Sequence, residues 1–246
     1  MEKADFGFQV IDKKDKEHLV QQVFSNVATK YDVMNDFMSF GLHHLWKDRL
    51  MDELYPHPDA ILIDVATGTG DIGKKFIEAG GGKAYLCDLN PQMLREGQRK
   101  MKTSHPTLHT KMVWQCANAE ALPYEDDSFD YYTISFGIRN VTNIDKALAE
   151  AFRVLKRGGK FICLELSDIE EGLIKKLYDL YSFKLIPKIG KAVADNPGAY
   201  TYLVESIRKF PKPQRFAQML EEAGLYQVRH FPLTFGVVSI HTGYKV

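Results

Sequence analysis

Cysteine is scarce and scattered in this chain of 246 residues. Cys87, Cys116 and Cys163 lie far apart, each inside or at the end of an apolar run, and no C-x-x-C spacing occurs. That excludes a disulfide framework, offers no zinc spacing, and reads as small core residues of a reducing compartment, so no metal site is expected. Net charge is missing too, because 32 Lys and Arg balance 32 Asp and Glu. Without a global positive field or a basic tail, no nucleic-acid partner is expected. Long hydrophobic runs are also lacking, and none approaches the ~20 apolar residues of a membrane span. The opening "MEKADFGFQVIDKKDKEH" has no apolar signal core and is too acidic for a transit peptide. A cytoplasmic chain follows as the expectation, at most peripheral at an inner membrane. Internal repeats and low-complexity segments are absent, and "PHPDA" at 56–60 is the nearest thing to a linker.

What is present is alternation. From residue 61, short β-branched runs alternate with amphipathic ones: "ILIDV" (61–65), "KAYLCD" (83–88), "KMVWQC" (111–116), "FDYYTISF" (129–136) and "KFICLEL" (160–166) predict strands. Helices are predicted at 71–79, 91–101 with Pro91 in the first turn, and 143–155. This pattern predicts a single α/β domain over 1–246 with a parallel, Rossmann-like sheet, whose ligands bind outside the carboxyl ends of the strands. Residues 15–55 and 170–224 read as helical cover segments, the second broken at Pro187, Pro197, Pro211 and Pro213. The closing "YQVRHFPLTFGVVSIHTGYKV" holds two strand-like runs whose connection is too short for a crossover helix, which predicts a terminal antiparallel hairpin.

The stretch "DVATGTGDIG" carries G-x-G-x-x-G at Gly68, Gly70 and Gly73, the spacing associated with dinucleotides. It follows a predicted strand and opens a predicted helix, which favours a ligand loop over packing alone. A pyrophosphate on that helix N-terminus would meet Asp64 and Asp71, at a cost on the order of 3 kcal/mol per charge pair at about 5 Å and a dielectric of about 20. The sulfonium and ammonium of S-adenosylmethionine suit such a pocket instead. Asp71 has an equally good reading as a simple partner of the helix dipole. Asp88, 18 positions after Gly70, stands where a carboxylate would chelate ribose hydroxyls in either cofactor. Asn118 and Ala119 follow the third strand, placed to meet an adenine edge, while Glu120 and the acidic turn after it read as solvated. Ser135 would sit below the cofactor and Arg139 above it.

Several longer segments, "YDVMNDFMSFGLHHLW", "DVATGTGD", "NAEALPY", "TISFGIRNV", "RVLKRGGKFICLELS", "YSFKLIPKIG" and "GVVSIHTGYK", occur in this order over nearly the whole chain. Together they resemble the UbiE/COQ5 quinone methyltransferases. The resemblance implies a class I S-adenosylmethionine-dependent methyltransferase that C-methylates a polyprenyl benzoquinol or demethylmenaquinol. It also implies cofactor contacts at Thr69, Asp88, Asn118, Ala119 and Ser135, with Gly68 and Gly70 letting the backbone approach. Thr67 and Arg157 depart from the family pattern, standing where many members carry Gly and Pro.

Methyl transfer from a sulfonium is an in-line displacement, so alignment is the main task. Arg139 is the expected catalytic residue, stabilising phenolate charge or holding a water that takes the ring proton. His43 is the expected base, with Tyr31 and Asn35 positioning the quinol head. Capping and packing are equally good readings for Asn35, and better ones for His44. Met34, Phe37, Met38 and Trp46 are core by default, or else an apolar wall for ring and tail. Expected partners are the prenylated quinol, a second copy of the chain or a quinone-biosynthesis assembly, and a membrane surface touched peripherally. Two rival readings stay open: an NAD-dependent dehydrogenase, and a non-catalytic binding module using 170–224.

Overall fold

The computed structural model describes residues 3–25, 31–168 and 197–246. The chain opens with a small antiparallel hairpin, β1 (Lys3–Phe6) and β2 (Gln9–Asp12), which the sequence reading did not anticipate. Three helices follow: α1 (Lys13–Ser25), α2 (Tyr31–Ser39) and α3 (Leu42–Leu54). The alternating part comprises β3 (Ile61–Val65), α4 (Asp71–Glu78), β4 (Lys83–Asp88), α5 (Pro91–Ser104), the single turn α6 (Pro106–His109) and β5 (Met112–Cys116). It continues with β6 (Phe129–Ser135), α7 (Ile144–Val154) and β7 (Leu155–Leu166). After the residues outside the description come α8 (Pro197–Lys209), α9 (Pro213–Glu222), β8 (Tyr226–Leu233) and β9 (Val238–Tyr244). Pro187, much of the second cover segment and the "YSFKLIPKIG" stretch lie outside the described residues.

The main sheet has seven strands in the order β5-β4-β3-β6-β7-β9-β8. β3 to β7 pair in parallel, and β9 runs antiparallel between β7 and β8, as the short terminal connection requires. The strand order reverses between β3 and β6, which puts the ligand crevice at their carboxyl ends. Period-two alternation divides the core: Leu62 packs with Leu50, Leu54 and Phe76 of α3 and α4, while Ile63 and Val65 pack with Leu148, Phe216 and Leu220 of α7 and α9. Each of these fully buried large side chains contributes roughly 1.5–3 kcal/mol.

Local chemistry sets the helix starts. Asn90 caps α5, its Oδ1 accepting from the backbone N–H of Gln92 and Met93, with Pro91 in the first turn. Asn143 caps α7 by accepting from Lys146 N–H. Helix α4 has no side-chain cap, and Gly70 before it adopts φ 86°. A Cβ on Gly70 would stand 2.5 Å from Trp114 Cη2, and one on Gly73 2.3 Å from Leu86 Cδ2, so both glycines let α4 approach the sheet.

Candidate active site

A cavity of about 820 Å³, its open mouth included, lies at the carboxyl ends of β3 to β6. The turn after each strand contributes: Ala66 and Gly68 after β3, Asp88 at the end of β4, Asn118 and Ala119 after β5, and Phe136 after β6. Helix α1 covers it with Val20, Gln21 and Phe24, and Tyr31 enters from α2. The floor is conformationally unusual, because Ala66 and Phe136 hold φ of 54° and 55°. Non-glycine residues rarely adopt this left-handed region, and such strain gathers at ligand sites. Thr67, the departure from the family pattern, does not share it. Its hydroxyl donates to Asp64 Oδ2 at 2.5 Å, which gives the variant letter a structural task. Arg157, the other departure, is exposed.

Asp88 is fixed by the backbone. Its Oδ2 accepts from Gly68 N–H and its Oδ1 from Asn90 N–H, both at 2.8 Å, and the residue lines the cavity. Burial pushes its carboxyl above the usual range, and the backbone N–H groups of Asn90, Gly68 and Leu89 hold it partly down. Ser135 Oγ, at the end of β6, is buried without a partner, but Ser135 is not among the residues lining the cavity.

The expected charges need correction. Asp64 does not line the cavity; it is 1% exposed and accepts from Thr67 and Thr133 hydroxyls. Burial raises its carboxyl to about 7. Asp71 is neutralised by Lys47 at 2.6 Å. The acidity of the cavity comes instead from Glu17, Asp88 and Glu120, and no Lys, Arg or His is among the described residues lining it. Glu120 is therefore not a solvated bystander; it is half-buried, and its Oε1 accepts from Asn143 N–H. Three lining carboxylates, with Lys16 near Glu120 as a cation outside the lining, disfavour a pyrophosphate and suit a sulfonium.

The remaining expected site residues divide. Gly68, Asp88, Asn118, Ala119 and Tyr31 meet at the cavity. Thr69 does not line it; its hydroxyl donates to Asp32 Oδ1, and Lys100 binds Asp32 Oδ2, so this pair ties α2 to the glycine loop. Gly70 serves packing against Trp114. The Tyr31 hydroxyl engages Asn35 and is raised by burial, while the nearby Arg139 charge lowers it.

Arg139 points into a buried ion pair, not open space. Its Nη1 donates to Glu165 Oε1 and to Phe136 O, both at 2.6 Å, while Nε has no partner. Glu165, on β7, was missed by the sequence reading. Burial raises its carboxyl and Arg139 draws it back down. His43 is buried in α3 away from the cavity, its Nε2 on Asp36 Oδ1 at 2.9 Å, and burial lowers its basicity. Met34 and Trp46 are core, whereas Phe37 is 54% exposed.

Also unanticipated is the cover itself. Asn90 Nδ2 donates to Gln21 O and Ser25 Oγ, and Lys16 Nζ donates to Val141 O, so α1 is latched across the cavity from both sides. Tyr202 of α8 stacks on Phe6 and donates to Asn140 Oδ1 at the cavity wall. No helix among the described residues is long and apolar enough to cross a membrane.

The profile of the ubiE/COQ5 methyltransferase family matches residues 11–245. The ubiquinone/menaquinone biosynthesis C-methyltransferase UbiE of Dinoroseobacter shibae is 50% identical over 242 residues, 98% of this chain and 96% of that one. The mitochondrial 2-methoxy-6-polyprenyl-1,4-benzoquinol methylases of Oryza sativa and Homo sapiens are 47% and 44% identical, covering 99% and 98% of this chain and 88% and 84% of theirs. A crystallised SAM-dependent methyltransferase from Thermotoga maritima shares the fold, with a TM-score of 0.63 at 17% identity over 92% of this chain and 99% of its own. The dehydrogenase reading falls with these matches. The methyl donor is S-adenosylmethionine, and the chain belongs to the ubiE/COQ5 methyltransferase family.

Proposed function

We propose that the protein methylates a ring carbon of a polyprenyl quinol, a methoxy-benzoquinol or a demethylmenaquinol, in ubiquinone or menaquinone biosynthesis. The observation that carries this reading is similarity along nearly the full length of both chains to enzymes named for that reaction. The acidic cavity supports the same chemistry.

In this reading Asp88 chelates the ribose, Asn118 and Ala119 meet the adenine, and Gly68 and Ser135 receive the amino-acid end. Thr69 acts through Asp32, holding α2 and therefore Tyr31 against the loop. A quinol ring carbon becomes nucleophilic when a hydroxyl on the ring loses its proton, whereas the oxidised quinone is inert. Tyr31 and Asn35 position the head, and Arg139 acts on the developing phenolate charge through its own charge, which already reaches the Tyr31 hydroxyl. Held in place by Glu165 before the reaction begins, that charge is preorganised, the kind of arrangement that supplies a few kcal/mol. His43, expected as the base, sits away from the cavity on Asp36 and takes no part in this reading. The reaction takes place at a membrane surface, where a prenylated substrate resides.

The test is methyl transfer to short-chain methoxy-benzoquinol and demethylmenaquinol side by side, with donor binding followed by calorimetry. Product is expected from reduced rings only, and Asp88→Ala should abolish donor binding. Donor binding with no product from either quinol would overturn the substrate assignment.

A further inference from the structure

We propose that Asp36, His43 and His44 form a binding site for a divalent transition-metal ion of the zinc type, spanning α2 and α3. Neighbouring residues on a helix project about 100° apart, so they seldom share one acceptor. Here both do: His43 Nε2 and His44 Nε2 lie 2.9 and 2.8 Å from the same Asp36 Oδ1, with the two rings 3.9 Å apart between centroids. The three donor atoms all fall within 4.8 Å of one another, and no other group of three such ligands occurs among the described residues. Cysteine spacing gave no hint of it.

The chemistry suits zinc. Two imidazoles and one carboxylate make a three-ligand set whose remaining positions are open to water. Zinc–nitrogen and zinc–oxygen bonds of about 2.0–2.1 Å place tetrahedral ligands roughly 3.3 Å apart, so the present contacts need open by only about half an ångström. Asp36 and His44 are about half exposed, at 49% and 52%, which provides an entry path. His43 is buried, its Nε2 held on Asp36 Oδ1. Lys47, a cation acting on His43, is already held by Asp71 at 2.6 Å. One feature limits affinity. His43 Nδ1 has no partner, and ligating histidines usually donate that second N–H. The site is therefore weaker than the closed, fully supported sites of structural zinc domains.

Tag-free protein titrated with zinc chloride in a non-chelating buffer tests this by calorimetry, with cobalt(II) absorption reporting ligand type. One ion per chain is expected, with visible cobalt bands that lack thiolate charge transfer. His44→Ala and Asp36→Asn should each weaken binding at least about tenfold, while Cys116→Ser leaves it unchanged; circular dichroism melts verify that each variant folds. Binding only at millimolar zinc, binding that survives His44→Ala, or binding lost in Cys116→Ser would overturn the proposal.

Discussion

Replacing Glu165 by alanine leaves the Arg139 guanidinium buried with no counter-charge. The pair is deep, with side chains 6% and 1% exposed, and joined at 2.6 Å. The same carboxylate also accepts from the backbone N–H of Leu166 at 2.9 Å, which would be stranded as well. Removing one member of such a pair costs about 3–5 kcal/mol, whereas replacing both by apolar groups of similar volume is often neutral. For a chain of this size, where 1 kcal/mol moves the midpoint by about 2–4 °C, Glu165→Ala should lower the melting temperature by about 6–20 °C. The double variant Arg139→Met/Glu165→Leu should recover most of that stability while losing turnover. Urea unfolding of the wild type, Glu165→Ala and the double variant compares the three directly. A loss below about 1 kcal/mol in Glu165→Ala, or a double variant no more stable than the single one, would refute the argument that the pair acts as a buried unit.

Asp64 makes stability depend on pH. It keeps its proton to about pH 7 in the folded chain, against an ordinary aspartate value of 3.8. The native state thus holds more protons across that window, and stability falls as pH rises through it, levelling above about 7. Asp64→Asn should remove on the order of 2–3 kcal/mol of the difference between pH 5 and pH 8, measured by urea titration; an unchanged slope would contradict the assignment. Gly70→Ala places a Cβ 2.5 Å from Trp114 at a φ of 86° and should destabilise by roughly 2–4 kcal/mol, read by thermal melting. Asn90→Ala removes the α5 cap, worth about 1 kcal/mol, and one latch of α1. A several-fold rise in KM for S-adenosylmethionine with kcat nearly unchanged is expected, and an unchanged KM would count against the latch.

The sheet was legible because its signals are local. Alternation in "ILIDV" and "KAYLCD" follows from which face each residue buries, and the short link before β9 permits only an antiparallel partner. Gly73 against Leu86 was equally readable, as close packing of a helix on a strand. The charges were not legible, since a letter gives ionisation in water and says nothing of depth. Asp64 and Asp71 read as anions in the ligand loop, but one is buried under two hydroxyls and the other belongs to Lys47, a residue 24 positions away. Glu165 left a trace that could have been used: an acid inside the apolar run "KFICLEL" requires a buried partner. The β1–β2 hairpin also left one, the alternation around Gly7. The latch of α1 onto Asn90 has no such trace, because it joins residues 65 and 69 apart.

The cavity's three carboxylates have a consequence for turnover. In the proposed reading the sulfonium donor enters with positive charge that Glu17, Asp88 and Glu120 attract, and after transfer the sulfur is a neutral thioether. The attraction specific to that charge ends with the reaction itself. Spent donor is then held by its adenosine and amino-acid ends alone, under a helix fastened by a few hydrogen bonds. The pocket thus distinguishes fresh donor from used by a single unit of charge, and methyl transfer itself favours the exchange of one for the other.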